Sequence, residues 1–471
     1  MIEVAKKGLT VLLAVNLLSG SVAGQKKNVR PPVKVPNEFR GSTAPTGQTS
    51  IGDLNWFEIF KDDELQKMVR TAMMQNYDLR LAVARISAAR ANLGLARSDQ
   101  FPQFAAGADL TASRTSLNGS SDVSGQRGKS RSFGSVFLGL LTFELDVWGR
   151  LRQQTKAARA ELRASEEDRK AVQTIVVGDV AAGYFSLLEL DSELNIARQT
   201  LTTRQESLRL ITFRQQGGLA TALDVRQAEE LVYQASQTIP DTERQIAQAE
   251  NQLSFILGNN PGSITRGRPL DQQQTLPTVP AGLPSSLLER RPDIRAAEEN
   301  LVAQDALVSA AKRAFFPTIS LTGLFGFQSN QLSNLFSGPS KAWTFVPQIT
   351  QPIFTGGRLK SDVKFAKAQQ EFAIVQYQQT IQNAFKEVSD GLIQYQKVRE
   401  IRAERELLVA TLRERSRLAH LRYEGGVDTL LNALDSDREL FDAELDLTQT
   451  KRNELLSLVQ LYKALGGGWQ Q

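Results

Sequence analysis

Two stretches of this chain, 208 residues apart, are written in one pattern. Arg422, the pair Gly425-Gly426, Thr429 and Leu431 repeat Arg214, Gly217-Gly218, Thr221 and Leu223. The register runs forward to Leu257-Gly258 and Leu465-Gly466, and backward to Arg150-Leu151 and Arg358-Leu359. A second register, offset by 215, pairs Asp78, Arg80, Ala82, Ala88 and Phe101-Pro102 with Asp293, Arg295, Ala297, Ala303 and Phe316-Pro317. Both offsets keep the same order along the chain. It is therefore a tandem duplication of about 200 residues, and its fold must use one supersecondary unit twice.

Each Gly-Gly pair closes a long apolar-periodic stretch, and the Thr that follows opens the next, which is how a helix hairpin stops and restarts. From Leu151 to Gln215 there is no proline, and Val180, Leu187, Leu194, Leu201 and Leu208 recur at heptad spacing. At about 1.5 Å per residue this stretch makes a helix of roughly 100 Å. Val225, Val232, Ile239, Ile246 and Leu253 mark the returning arm, where Pro240 predicts a kink or break. Ile374, Ile381, Val388 and Tyr395, then Leu440, Leu447 and Leu461, repeat this in the second copy. Read locally, these arms are antiparallel coiled coils. A shorter helix begins at Asp62-Asp63-Glu64, breaks near Asn76-Tyr77-Asp78 and resumes to Ser98.

After each Phe-Pro the period changes from helical to two. Ile319, Leu321, Gly323, Phe325 and Phe327 share one face, and a partner strand is expected from Trp343 to Phe354. The first copy places strands near 104–115 and 133–146, joined by the Ser/Gly-rich 116–131. Phe and Trp concentrate in these segments, as in the aromatic girdles of membrane barrels. Four strands of membrane-spanning length cannot close a barrel alone, so other copies of the chain would have to supply the missing edges.

Composition removes much chemistry. With no cysteine and one histidine, thiolate nucleophiles, disulfides and most soft-metal sites are excluded, so an enzyme is not expected. A net charge of +5, interspersed along helices, gives no nucleic-acid footprint. Gly128-Lys129-Ser130 resembles the end of a phosphate-binding loop, but Val123 stands where its first glycine belongs. His420, on a charged helix, reads as a solvated side chain, and no cofactor or metal is expected.

Residues 1–23 read as an export signal: Lys6 and Lys7, an apolar core from Leu9 to Leu18, then small residues. Leu18-Ser19-Gly20-Ser21 looks like a lipoprotein processing site with Ser21 where the lipid-bearing Cys is expected. Either that Cys has been replaced, or cleavage follows Ser21-Val22-Ala23 in the ordinary way.

Several words of the mature chain resemble the TolC-like outer-membrane channels of tripartite efflux pumps, in their lipoprotein-type (OprM/NodT-like) subgroup. They include Asn55-Trp56-Phe57, Phe143-Glu144-Leu145-Asp146-Val147-Trp148-Gly149-Arg150, Arg291-Pro292-Asp293-Ile294, Ala314-Phe315-Phe316-Pro317-Thr318-Ile319, Pro352-Ile353-Phe354 and Lys463-Ala464-Leu465-Gly466-Gly467-Gly468-Trp469. The resemblance implies a mainly-α fold with membrane β: a homotrimer whose four strands per chain make a 12-stranded β-barrel in the outer membrane, continued into the periplasm by a long α-helical barrel. It implies passive export of drugs or other small toxic compounds, with a periplasmic adaptor and an inner-membrane RND transporter as partners and outer-membrane lipid around the barrel. Type I secretion is the alternative within the family, and a structural coiled-coil protein without a channel the alternative outside it.

The same resemblance implies roles for particular residues. Tyr423, Leu431, Asp435 and Arg438 match the aperture gate. Gly217, Gly218, Leu219, Thr221, Leu223, Gly425, Gly426, Val427 and Thr429 match the tips on which the adaptor docks. Without the resemblance, Asp435 with Arg438 reads as a surface ion pair of a few tenths of a kcal/mol. The expected organisation is a signal at 1–23, an extended equatorial segment at 24–61, a first repeat at 62–258 (hairpin 104–146, tip 217–221), a linker at 259–284, a second repeat at 285–465 (hairpin 319–354, tip 425–429) and a tail at 466–471.

Overall fold

The duplication is visible as pairs of helices of equal length in the computed structural model, which describes residues 31–42, 50–114, 116, 130–274 and 279–469. The chain divides into Met1–Lys34 and Val35–Gln471. Of the first unit only 31–34 is described, and it carries no regular element. The export signal and Ser21 lie outside the described residues, as do most of the Ser/Gly-rich loop and Gly128-Lys129. In the second unit, α1 (Trp56–Ile59), α2 (Asp63–Gln75) and α3 (Tyr77–Ser98) lead to β1 (Phe104–Arg114) and β2 (Ser130–Leu145). There follow α4 (Arg150–Gln216), α5 (Ala222–Ile256), α6 (Pro284–Arg290) and α7 (Pro292–Arg313). Then come β3 (Thr318–Ser329), β4 (Lys341–Thr350), α8 (Arg358–Glu424) and α9 (Leu430–Ala464). Helices α4 and α8 each have 67 residues, α5 and α9 each 35, and α3 and α7 each 22. One unit is thus built twice, at the offsets the sequence shows.

The strands form one antiparallel sheet in the order β1-β2-β3-β4, so the two hairpins join through β2 and β3, while β1 and β4 are its edges. Every residue of β4 is exposed, Trp343, Phe345 and Ile349 among them. Pro347 sits opposite Leu321, a place open to proline because an edge strand has one unpaired side. The strand ends at Thr350 rather than at Phe354, as the sequence suggested. Pro352 has no N–H to extend the ladder, and Ile353 and Phe354 project with more than nine-tenths of their surface exposed.

At the root of the sheet, Trp148 donates from Nε1 to the carbonyl of Pro317 (2.7 Å) and stacks on Phe316 at 5.1 Å, fastening one repeat to the other. Asp146 accepts from the backbone N–H of Leu151 (3.0 Å) and Arg152 (2.8 Å), serving the first turn of α4 that Gly149 cannot cap with a side chain. Helix α5 runs unbroken through Pro240. Its buried face holds it on both sides, with Ala228, Leu231, Val232 and Ala235 before the proline and Thr242, Leu253 and Ser254 after it.

Midway along the arms, the α1 segment and the linker are bound to the helices. Phe60 packs edge-on against Phe185 and Tyr462. Asp62, 1% exposed, is the hub: Oδ1 accepts from the N–H of Glu64 and Leu65, while Oδ2 accepts from Tyr184 Oη (3.0 Å), Arg268 N (2.9 Å) and Gln273 Nε2 (2.8 Å). Arg266 pairs with Asp191 (2.9 Å) and Glu250, so residues 264–273 lie across α4 and α5.

Two glycines with positive φ give a contrasting prediction. Gly218 (φ +74) turns the first tip with open space around it, whereas a Cβ on Gly258 (φ +78) would lie 2.5 Å from the carbonyl oxygen of Gln75. Gly218→Ala should cost about 1 kcal/mol of backbone strain, and Gly258→Ala about 3 kcal/mol or more because a backbone atom must also move. Thermal melting of the two detergent-extracted variants should rank them in that order. Equal melting points would show that the αL strain alone decides both.

Candidate functional site

The hairpin tips bring most of the sequence-marked residues together. Each long helix ends in the same Schellman turn: Leu219 N–H to Arg214 O (2.8 Å) with Gly218 N–H to Gln215 O (3.0 Å), and Val427 N–H to Arg422 O (3.0 Å) with Gly426 N–H to Tyr423 O (3.0 Å). Gly218 and Gly426 carry the positive φ this turn requires, and Gly217 and Gly425 precede them at negative φ.

Beyond the glycines the two tips differ. Thr221 and Asp224 form a reciprocal capping box, Asp224 N–H to Thr221 Oγ1 (3.2 Å) and Thr221 N–H to Asp224 Oδ2 (2.7 Å). Thr429 makes no side-chain cap. Asp428 organises the turn instead: it receives Thr429 N–H (2.8 Å), Asn432 Nδ2 (2.6 Å) and the Arg422 guanidinium (3.0 Å). The Arg422 hydrogen bond, then those of Thr429 and Asn432, hold its carboxyl below the usual carboxylate range. The sequence reading overlooked Asp428. An Asp just before a Thr-Leu helix start was the available signal.

The tips pack on each other within one chain. Ile211, Ala228 and Leu231 of the first hairpin close against Leu430 and Leu434 of the second, with Ala220, Val225 and Tyr423 around them. The Arg214 guanidinium lies 4.7 Å from the centre of the Tyr423 ring, linking the end of α4 to the end of α8. Outside this cluster Leu219, Leu223, Val427 and Leu431 are all more than half exposed, an unusual group of bare apolar side chains on a polar helical tip.

Leu431 and Asp435 stand one turn apart near the start of α9. Arg438 donates to Asp435 at 2.5 Å, and Arg415 of α8 reaches it at 3.9 Å while also pairing with Glu439. Asp435 therefore carries two arginine neighbours from its own chain, of which the sequence marked one. His420 is not the solvated side chain expected from its helix. It is half-buried, with Nε2 2.8 Å from Asp437 Oδ2 across the α8/α9 pair, because its turn of α8 faces α9. Among the described residues no group of histidines and carboxylates is arranged to hold a metal.

The outer membrane efflux protein family matches residues 68–259 and 283–467. The toluene efflux pump outer membrane protein TtgC of Pseudomonas putida is 38% identical over 432 residues, covering 91% of this chain and 88% of that protein. Outer membrane protein OprJ of Pseudomonas aeruginosa is 37% identical over 465 residues, covering 98% and 96%. The open-state MtrE outer membrane channel of Neisseria gonorrhoeae superposes with a TM-score of 0.84 at 32% identity, over 94% of this chain and 98% of that one. The duplicated hairpins, the four-stranded sheet and these matches lead to one conclusion: the chain belongs to the outer membrane efflux protein family.

Proposed function

We propose that this chain is the outer-membrane exit duct of a tripartite efflux pump, a homotrimer through which drugs or other small toxic compounds pass without chemistry in the chain itself. The observation that carries the reading is the open four-stranded sheet continued directly into two pairs of 67- and 35-residue helices. Two unpaired edges in hydrocarbon are too costly to leave open, and edge-to-edge pairing of three copies closes a barrel of the right strand number. The TtgC relative, a toluene efflux pump protein by name, supports efflux over protein secretion.

In this reading the bare apolar residues of the tips, Leu219, Leu223 and Val427, with the turns at Gly217-Gly218 and Gly425-Gly426 and the hydroxyls of Thr221 and Thr429, meet the helical hairpins of a periplasmic adaptor. An inner-membrane RND transporter supplies the energy. Leu431 and Asp435 form the aperture, three carboxylates making a ring that favours cations, and Tyr423 and Arg438 tie the arms around it. The segments divide as the repeat does, 62–258 and 285–465 about the 259–284 linker, flanked in sequence by 24–61 and 466–471.

Planar-bilayer conductance of the detergent-extracted oligomer, with its stoichiometry fixed by native mass spectrometry, tests this. A trimer with a small, cation-preferring conductance is the expected result. A monomer, or an oligomer that stays silent even with Asp435 and Tyr423 replaced, would instead make the chain a coiled-coil protein without a channel.

A further inference from the structure

Just above the tips, one polar layer touches all four arms. Asp437 of α9 accepts from Ser416 Oγ (2.6 Å) through Oδ1 and meets His420 Nε2 (2.8 Å) through Oδ2; both partners lie on α8, one turn apart. On the other side stands Arg204 of α4, 4% exposed, whose Nη1 donates to the Leu231 carbonyl of α5 (2.8 Å) and whose guanidinium lies 4.9 Å over the Phe441 ring of α9. Its Nε and Nη2 have no hydrogen-bond partner among the described residues; burial disfavours its charge, and the attraction of Asp437 and Asp442 offsets only part of that. The buried guanidinium is held by the Leu231 carbonyl and the Phe441 ring, which ties α4 to α5 and α9, and it attracts Asp437 from the side opposite His420. Asp437 lies two residues beyond Asp435.

We propose that Asp437 is a positioning residue for the aperture, coupling the two hairpins above Asp435, and that His420 makes this coupling respond to periplasmic pH. The proposal rests on the export-duct reading. The hydrogen bond to Asp437 raises His420 above the ordinary imidazole value; burial opposes this, and the charges of Asp437 and Glu424 add to it. The charged groups acting on the pair are Glu424 from α8 and Arg204 from α4, while α5 contributes the Leu231 carbonyl. In mild acid the imidazolium and the carboxylate clamp α8 to α9. As pH rises through the raised imidazole value the clamp loses its charge, leaving the Ser416 hydroxyl and a neutral imidazole on α8 against the attraction of Arg204. Position 435 then shifts with the α9 backbone, and the aperture changes with it.

The chain's single histidine makes the test direct. In the full-length trimer purified without a histidine tag, 13C-histidine labelling gives one imidazole titration, to be compared with conductance across roughly pH 5 to 8. Conductance should change in a step that follows the imidazole. His420→Gln should lose the step, and His420→Lys should stay at the acid level throughout. Asp437→Asn should move the imidazole midpoint downward. A step that survives in His420→Gln, or a midpoint indifferent to Asp437→Asn, would overturn the proposal. A trimer that never conducts counts against the export reading alone; hydrogen exchange across residues 409–441 then replaces conductance, and an identical pH response in wild type and His420→Gln overturns the coupling.

Discussion

Asp62→Ala is expected to destabilise the protein by about 3 to 5 kcal/mol, through loss of a helix cap and exposure of several buried donors to nothing. One carboxylate 1% exposed accepts from five donors that belong to three parts of the chain: the start of α2, Tyr184 in the middle of α4, and Arg268 and Gln273 in the linker. Removing it leaves the buried Tyr184 hydroxyl and the Leu65 N–H without their acceptor, and unties the Arg268 N–H and Gln273 from the helices. Room is also fixed around it, since a Cβ on Gly267 would lie 2.3 Å from Asp62 Oδ1. Asp62→Asn should cost less, because the amide oxygen keeps part of the set.

The pH dependence has a definite sign. Burial pushes the Asp62 carboxyl up, but the hydrogen bonds from Gln273, Arg268, Leu65 and Tyr184 together outweigh it and bring it below its ordinary value of 3.8. A depressed folded-state value gives stability that is fully present above 3.8 and is lost as pH falls through the lower, folded value. Thermal unfolding in detergent, followed by circular dichroism from neutral pH to pH ~3, should show wild type losing more than Asp62→Asn in the acid range. An Asp62→Ala protein that melts with wild type would remove the hub from the account.

Asp435→Ala is expected to raise single-channel conductance and to reduce cation preference in the same recording. The carboxylate is about one-third exposed and shared between Arg438 at 2.5 Å and Arg415 at 3.9 Å, so its loss frees two arginines at the proposed aperture as well as removing a negative charge. Charge and constriction then change together, which a carboxamide separates. Asp435→Asn keeps the side-chain size while removing the charge, and should alter selectivity more than conductance. Adding Tyr423→Phe should leave the Arg214 contact intact, because the guanidinium sits over the ring and not at the hydroxyl. A double variant that conducts far more than Asp435→Ala would therefore assign the extra opening to the phenol hydroxyl and a neighbouring copy. Unchanged conductance in correctly assembled Asp435→Ala trimers would contradict the gate assignment.

Much of this architecture is written locally. Asn76, Gly217-Gly218, Pro292, Phe316-Pro317 and Gly425-Gly426 each punctuate the chain through local backbone and capping chemistry, and every one marks an element boundary in the structure. The duplication then repeated the Gly-Gly and Phe-Pro signals in both copies. Features that depend on which turn of one helix faces which turn of another left no such trace. Ser416 and His420 look like two polar residues on a charged helix until α9 places Asp437 between them. Thr429 has the right type for a cap yet makes none, while Asp428 accepts its N–H and is held there by Arg422 and Asn432. Of the kink or break expected at Pro240, the break is absent, since a packed helix face outweighs one missing hydrogen bond.

The bare edge of β4 also sets a schedule for assembly. A newly exported chain carries ten strand residues at 341–350, all exposed, and at the opposite margin β1 waits for the same kind of partner. Until three chains meet, each is a sticky intermediate whose lifetime depends on encounter with its own kind, and any other strand can take the place meant for a sister copy. In the proposed trimer the barrel closes only when three chains pair edge to edge, so the concentration of chains in transit weighs on whether those edges find sister copies or aggregate.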